Sequence, residues 1–357
     1  TSSFCKIKFM KTVAWLPDDL NANKSFTMFK KAFELAGFKN ISNEEFYKDL
    51  KNTDYLILNF YEHINKKLGT YFISFFGKLF RLKRFQHHKI KIIWVLNNKL
   101  SHDKKGSYWT LKMMKILIRK SFKIICLCHD SVQVLEKLQT NEKLWEKKLI
   151  FLPHPNYIGC YKNETLKKFP KEFSVLLFGA IKTYKNVDML INIFKMLNNK
   201  KLHLTIAGKT KDNKYKEYLE KLAKNEPNID LKLKFISDDE ILDLIYKSSL
   251  IVLPYDTEAM LNSGSILLTC SAARTFISPK IGTINDFPDK TLFYSYSYSS
   301  QKEHEEVLKE KILEAYADFE KNPTILEEKG KKLYEYVKQE HSVQKLAEII
   351  KEKLYYS

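Results

Sequence analysis

The sequence predicts an α/β protein built from two Rossmann-like doubly wound domains facing a cleft. Its 357 residues suit two domains of about 150 to 200 residues each. Short apolar runs alternate with helical periodicity in two successive series, and a polar, Pro-flanked stretch, GCYKNETLKKFPKEF (159–173), separates them. Hydrophobic residues make up 44% and aromatics 13%, enough for packed cores, and no compositional bias points to a disordered or fibrous chain.

In the first series KIKFMKTVAW (6–15), DYLILNF (54–60), KIKIIWVLNN (89–98), FKIICLC (122–128) and KKLIFLP (147–153) have the length and apolar content of buried strands. Helices are expected between them, near 24–36, 64–84, 107–120 and 131–139. Strand and helix in alternation imply a parallel sheet covered on both faces. In the second series FSVLLFG (173–179), LHLTIAG (202–208), DLKLKFI (230–236), LIVLPY (250–255) and TFISP (275–279) repeat the pattern. Between them Val187, Leu190, Ile191, Phe194 and Leu197 share one helical face, and Ser237 to Glu240 reads as a capping box ahead of Ile241, Leu244 and Ile245. Residues 302–355 are charged and helical. The expected domains are 1–160 and 161–340, with 341–357 a closing helix that packs back on the first. Two such domains place a ligand at the carboxyl ends of the strands.

The charge is uneven. The chain carries 61 Lys+Arg against 42 Asp+Glu, a formal +19, which calls for an anionic partner. Residues 1–160 hold 29 basic and 13 acidic side chains, and residues 161–357 hold 32 and 29, so the excess belongs to the first half. Five cysteines without disulfide-like spacing fit a reducing compartment, and Cys126, Cys128 and His129 lack a second ligand pair at zinc spacing. No apolar run reaches the roughly 18 residues of a membrane span, and the first residues lack a signal-peptide pattern. The expectation is a cytoplasmic protein with the inner membrane face within its reach.

Two segments carry candidate chemistry. In FGAIKTYKNVDML (178–190) a strand ends at Gly179, a loop presents Lys182 and Lys185, and a helix begins near Asn186. Two ammonium groups beside a helix start suit a diphosphate. In VLPYDTEAMLNSGSILLTCSAARTFISP (252–279) a strand ending at Tyr255 leads through a small, polar loop to Ser263–Gly264–Ser265, which opens an apolar helix. Gly264 lets a ligand approach the backbone, and the serines offer hydroxyl and N–H groups to phosphate or sugar oxygens.

The order of these motifs, with LTIAG, FISDDEILDLIYKSS and IVLPY between them, resembles the donor-sugar domain of GT-B glycosyltransferases, specifically the retaining family numbered four and its relatives. The first half is similar too: IIWVLNNKLSHD (92–103) looks like a form of W-T-V-H-N-x-x-P-H, and FLPHPNYIGCY (151–161) like I-P-H-G-N-Y, so the likeness runs from about Phe9 to Tyr336. The resemblance implies that Lys185 is the diphosphate-binding lysine, with Lys182 where some relatives have arginine. It also implies that Ile236 and its neighbours offer backbone groups to the base, that Gly208 lets the backbone pass near the nucleotide, and that Ser263, Gly264 and Ser265 face the distal phosphate and sugar. Glu258 is the carboxylate available to ribose or sugar hydroxyls. His102, Asp103, His154, Asn97 and Asn23 become candidates for the acceptor side, His102 with a catalytic role.

The departures are specific. Ala180 stands where the family has an arginine, Leu261 and Thr269 replace its pair of glutamates, and Asn97 replaces its histidine. No D-x-D occurs, so neutralisation of the leaving diphosphate falls to Lys182, Lys185 and helix termini, and neither metal nor other cofactor is expected.

The stretch KKLGTYFISFFGKLFRLKRFQHHKIK (66–91) carries eight Lys/Arg and no acid, interleaved with aromatics. As a helix with aromatics on one side and cations on the other it suits an anionic bilayer surface, the other reading being a core helix with a solvated basic face. Nucleic acid is disfavoured because no recognition motif accompanies the patch. The resulting expectation is a metal-independent, retaining glycosyltransferase using a nucleotide-diphosphate sugar and a glycan or lipid-linked glycan acceptor, as in bacterial surface polysaccharide, lipopolysaccharide or glycolipid assembly. A nucleotide-sugar epimerase on the same fold and a non-catalytic sugar-nucleotide or membrane-surface binding protein are the alternatives.

Overall fold

The computed structural model describes residues 10–18, 24–64, 70–99, 107–138, 143–161, 166–258 and 260–356. The chain forms two compact units, one comprising the residues up to Pro155 together with those from Val343 onward, the other running from Asn156 to Ser342. The boundary thus precedes the polar stretch at 159–173, whose start already packs into the second unit through Cys160 and Tyr161.

The first unit is a parallel six-stranded sheet of order β2-β1-β3-β4-β5-β6. Its strands are β1 (Lys11–Leu16), β2 (Phe38–Asn40), β3 (Tyr55–Asn59), β4 (Lys91–Leu96), β5 (Lys123–Cys126) and β6 (Leu149–Phe151). Its helices are α1 (Lys24–Leu35), α2 (Asn43–Lys48), α3 (Tyr71–His87), α4 (Ser107–Lys120) and α5 (Ser131–Leu138). β3 is buried along its whole length because helices cover both sheet faces. On one face Val13, Phe33, Phe38, Ile57 and Ile93 pack with Val343, Leu346 and Ile350 of the chain's last segment. Each such side chain contributes roughly 1.5–3 kcal/mol on burial. Lys11 Nζ donates to the Tyr355 carbonyl at 2.6 Å, which fixes that segment against β1.

The second unit has a parallel sheet of order β12-β11-β10-β7-β8-β9. These strands are β7 (Ser174–Phe178), β8 (His203–Ala207), β9 (Ile229–Lys232), β10 (Leu250–Val252), β11 (Thr275–Pro279) and β12 (Tyr294–Tyr296). The intervening helices are α6 (Val187–Leu197), α7 (Asn213–Leu222), α8 (Asp238–Tyr246), α9 (Gly264–Ser271) and α10 (Gly282–Asn285). After them come α11 (Gln301–Lys321) and α12 (Thr324–Glu340), while α13 (Val343–Ile350) belongs to the first unit. Val187, Leu190, Ile191 and Phe194 of α6 are buried in one core with Leu197 packed beside them, as the periodicity predicts.

Several expectations need correction. β2 (FKN) and β12 (YSY) are not among the expected strands, because polar residues interrupt these three-residue segments, whereas the equally short β6 (LIF) and β10 (LIV) are wholly apolar. The reciprocal capping box lies at Ser42–Glu45, whereas Ser237 accepts from the Glu240 amide but the Glu240 carboxylate pairs with Lys234 at 3.3 Å. The strand expected to end at 236 stops at Lys232. α3 does not sort aromatics and cations to opposite sides: Phe75 and Phe85 are buried, while Phe72, Phe76 and Phe80 are exposed alongside Arg81, Lys83 and Arg84.

Candidate active site

In the second unit the strand order reverses between β7 and β10, and their carboxyl ends feed the two segments singled out by sequence. A doubly wound sheet binds ligands at such a reversal, because the loops leaving it diverge to opposite faces and open a crevice.

The loop after β7 begins with Gly179 at φ +98°, a conformation that disfavours any side chain. A Cβ on Gly208, at φ +154°, would stand 1.8 Å from the Gly179 carbonyl oxygen, so the missing side chain of Gly208 makes room for the neighbouring strand's backbone. Past the turn, Lys185 closes a short 3₁₀ turn (Thr183–Lys185) and folds back under it. Its Nζ donates to the Phe178 carbonyl at 3.2 Å and lies 5.9 Å from the Tyr255 ring centre. Lys185 is only 5% exposed. Burial first, and the nearby Lys182 charge second, bring its ammonium down to about 8. Among the described residues no carboxylate forms an ion pair with Lys185, and a buried cation of this kind is where an anion adds most.

The segment after β10 brings the second half of the site. Ser263 caps α9 by accepting from the Ile266 amide at 3.3 Å, and the Tyr255 hydroxyl meets Ser263 Oγ at 2.7 Å. Burial holds the Tyr255 hydroxyl well above its ordinary pKa, so it stays protonated. Gly264 and Ser265 form the first turn of α9, where backbone N–H groups lack intrahelical acceptors and the helix dipole is positive. A Cβ on Gly179 would lie 3.0 Å from Lys185 Nζ and 3.6 Å from Ser265 Oγ, so lysine, serine and glycine turn converge on one point.

Contacts that the sequence reading missed hold these loops together. Asn186, in the left-handed conformation at φ 47°, donates from Nδ2 to the Pro254 carbonyl at 2.8 Å. The Asp256 amide donates to the Tyr184 carbonyl at 2.8 Å. The Tyr298 hydroxyl donates to the Tyr255 carbonyl at 3.0 Å, and Thr283 Oγ1 accepts from the Ser263 amide at 2.9 Å. Asn at a helix start was the only local signal; the other partners are distant in sequence.

Lys182 is exposed, its Nζ 5.7 Å from the Tyr184 ring, and acts on Lys185 through charge. Glu258 is exposed, with its amide bonded to Asp256. Ile236 is partly buried against the core that contains Tyr255. Leu261 and Thr269 are buried, and Thr269 Oγ1 donates to the Ser265 carbonyl at 2.8 Å, so these two positions pack the helix rather than present acids.

In the first unit Asn97 follows β4 and donates to the Val95 carbonyl at 3.2 Å. His154 Nδ1 donates to the Pro155 carbonyl at 2.9 Å. Asn23, His102 and Asp103 lie outside the described residues. Sequence reading missed Glu62, just after β3, which is buried and accepts from Trp94 Nε1 at 3.0 Å, with burial raising its pKa. Among the described residues no three metal-ligating side chains converge.

Comparison with known proteins bears on this geometry. Residues 162–260, which contain Gly179, Lys182, Lys185, Gly208 and Tyr255, match the family described as Glycosyl transferases group 1. The chain carries a glycosyl transferases group 1 domain. A GDP-mannose:glycolipid 4-beta-D-mannosyltransferase of Xanthomonas campestris pv. campestris is 29% identical over 105 residues, covering 29% of this chain and 30% of that relative. The match thus spans about a third of the curated relative. The fold resembles that of HepE from Anabaena solved with UDP, at TM-score 0.67, 12% identity and coverage of 98% of this chain and 100% of that one. It also resembles sucrose-phosphate synthase from Thermosynechococcus elongatus, at TM-score 0.68, 12% identity and coverage of 97% and 98%. The group 1 domain therefore sits in a chain of GT-B architecture, with two parallel α/β units.

Proposed function

We propose that this chain is a glycosyltransferase that moves a sugar from a nucleotide-diphosphate donor to a hydroxyl of a glycan or lipid-linked glycan. The observation that carries the reading is the buried Lys185 ammonium beside the Gly179 turn, facing Ser265 and the start of α9. The diphosphate would take the Lys185 ammonium, the exposed Lys182 ammonium and the α9 amides as its donors. Charge that develops as the sugar leaves would be stabilised by the same groups without a metal, since their positions are fixed before the reaction. Ile236 backbone groups are the candidate base contact, and Glu258 the candidate partner for ribose or sugar hydroxyls.

The acceptor reading is supported by the glycolipid named in the Xanthomonas relative and by the first unit's cationic excess. Retention of configuration is the default drawn from the resemblance. That relative's name specifies a β-linked product, so the anomer formed is a necessary readout. Cytoplasmic nucleotide sugars and an acceptor at the inner membrane face complete the proposal, with surface polysaccharide, lipopolysaccharide or glycolipid assembly as its setting.

The test is transfer from a panel of UDP- and GDP-sugars to lipid-linked acceptors, with EDTA present and with the product anomer read by NMR. Lys185→Ala should lower kcat by about 10²–10³ fold, the scale for losing one preorganised charge-stabilising donor. Undiminished transfer by that variant would remove Lys185 from the role.

A further inference from the structure

The first unit presents a two-helix surface whose composition fits a specific partner. Along α3 the exposed side chains are Phe72 at 57%, Phe76 at 45% and Phe80 at 70%, with Ile73 beside them. Spacings of four residues put these phenylalanines on one stripe. Lys83 lies in line with the stripe at its carboxyl end and Arg84 flanks it, both exposed. Along α4 the exposed positions Tyr108, Lys112, Lys115 and Arg119 form a second stripe, three of whose four members are cations. Trp109 joins the helices: its ring lies 6.2 Å from Phe72 and 5.0 Å from Phe75. Lys112 Nζ lies 4.5 Å from the Tyr108 ring centre, so that cation sits directly beside the aromatic surface. Neither helix contains an aspartate or glutamate.

The helix pair is held firmly from below. Lys78 Nζ donates to the carbonyls of Tyr61 at 2.8 Å and His63 at 2.7 Å, tying α3 to the loop after β3, while Phe75, Leu82 and Phe85 are buried. The outward aromatics are therefore not needed for the core. Contiguous exposed apolar side chains rimmed by a single sign of charge mark an interaction site rather than an ordinary soluble surface.

We propose that the outward face of α3 and α4 docks on an anionic lipid bilayer, with Phe72, Phe76 and Phe80 entering the headgroup and acyl boundary. Lys83, Arg84, Lys112, Lys115 and Arg119 meet lipid phosphates. The charge complementarity selects this occupant: an apolar protein partner would not require two helices without a single acid, and a free phosphate would not require exposed phenylalanines. No helix among the described residues is long and apolar enough to cross a membrane, so the contact is one of lying on the surface. Sequence alone pointed to the 66–91 stretch; α4 and its cationic stripe enter only through the fold. The inference stands apart from the donor reading, since it involves no residue of the second unit.

The full chain is tested by flotation with vesicles of phosphatidylcholine alone and of phosphatidylcholine with 30% phosphatidylglycerol. Binding to the anionic vesicles only, falling with salt, is expected. Each cation near the surface is worth about fivefold in partitioning, so Lys112→Glu with Lys115→Glu should weaken it by more than about 25-fold. Phe76→Ser with Phe80→Ser should weaken it about tenfold or more at unchanged salt slope. Melting curves of both double variants should match the parent, and no nucleotide sugar is present in the assay, so failure of the donor reading leaves this result intact. Failure to float with anionic vesicles at low salt overturns the proposal, as does floating by the variants equal to the parent. A concentration-dependent dimer abolished by the phenylalanine changes also overturns it, in favour of a second copy of the chain.

Discussion

Replacing Lys185 by methionine should stabilise the second unit while abolishing diphosphate binding. The unfolded chain holds a proton on this lysine up to about 10.5, the folded chain only up to about 8, because burial and Lys182 oppose the charge. A depression of that size corresponds to about 3 kcal/mol of stability withheld at pH 7. Methionine fills a similar volume without the charge but forfeits the ammonium's bond to the Phe178 carbonyl, worth about 1.5–3 kcal/mol. The net gain is at most about 1.5 kcal/mol, or up to roughly 3–6 °C in melting temperature for a unit of this size. In the parent, this residue's contribution to stability rises as pH climbs from about 8 to 10.5, so the variant's advantage should close over that window. Calorimetry at pH 7 and 9.5, paired with isothermal titration of UDP and GDP, measures both effects. A variant that melts below the parent at pH 7 would show that the Lys185 charge is not a burden on the fold, and one that keeps full diphosphate affinity would show that the diphosphate does not bind this ammonium.

Other outcomes follow from the same geometry. Gly208→Ala forces a Cβ to within 1.8 Å of the Gly179 carbonyl oxygen, and the two loops must separate. Its melting temperature should fall by the equivalent of about 3 kcal/mol or more and donor binding should be lost, both visible in a thermal-shift titration. Asn186→Ala removes the bond to Pro254 that joins the two loops, so donor affinity should drop about tenfold at a stability cost near 1 kcal/mol, read by titration and urea unfolding. Ser263→Ala deletes both the α9 cap and the Tyr255 contact, costing about 1–2 kcal/mol by chemical denaturation. Donor affinity of the parent should decline above pH 8, up to about tenfold per pH unit, as the Lys185 ammonium deprotonates, and the Lys185→Arg variant should flatten that decline.

Much of this architecture was legible because buried parallel strands leave compact apolar runs. The runs at 54–60 and 173–179 fall on β3 and β7, and the periodicity of Val187 to Phe194 marks the buried face of α6. The three-residue strands β2 and β12 were not legible, since sheet pairing rather than hydrophobic patterning defines them. At the site, the loop positions of Lys185 and Ser263–Ser265 could be read from strand ends and helix starts. That Lys185 is the buried lysine and Lys182 the exposed one could not, because it depends on how the chain folds back beneath Gly179. Tyr298 and Thr283 secure the loops from other elements, and no local pattern announces such partners. For α3 the composition was visible but the sorting was not, because Trp109 of α4 packs on Phe75 and Phe46 of α2 on Phe85, contacts that only the fold brings about.

In the proposed donor complex a nucleotide's diphosphate sits between Lys185 and the start of α9. A crystal structure of the chain soaked with GDP or UDP tests it most directly. Phosphate oxygens are expected within hydrogen-bond distance of Lys185 Nζ and of the Gly264 and Ser265 amides, beside the Gly179 turn. A nucleotide bound elsewhere, with Lys185 still turned back on the Phe178 carbonyl, would contradict it.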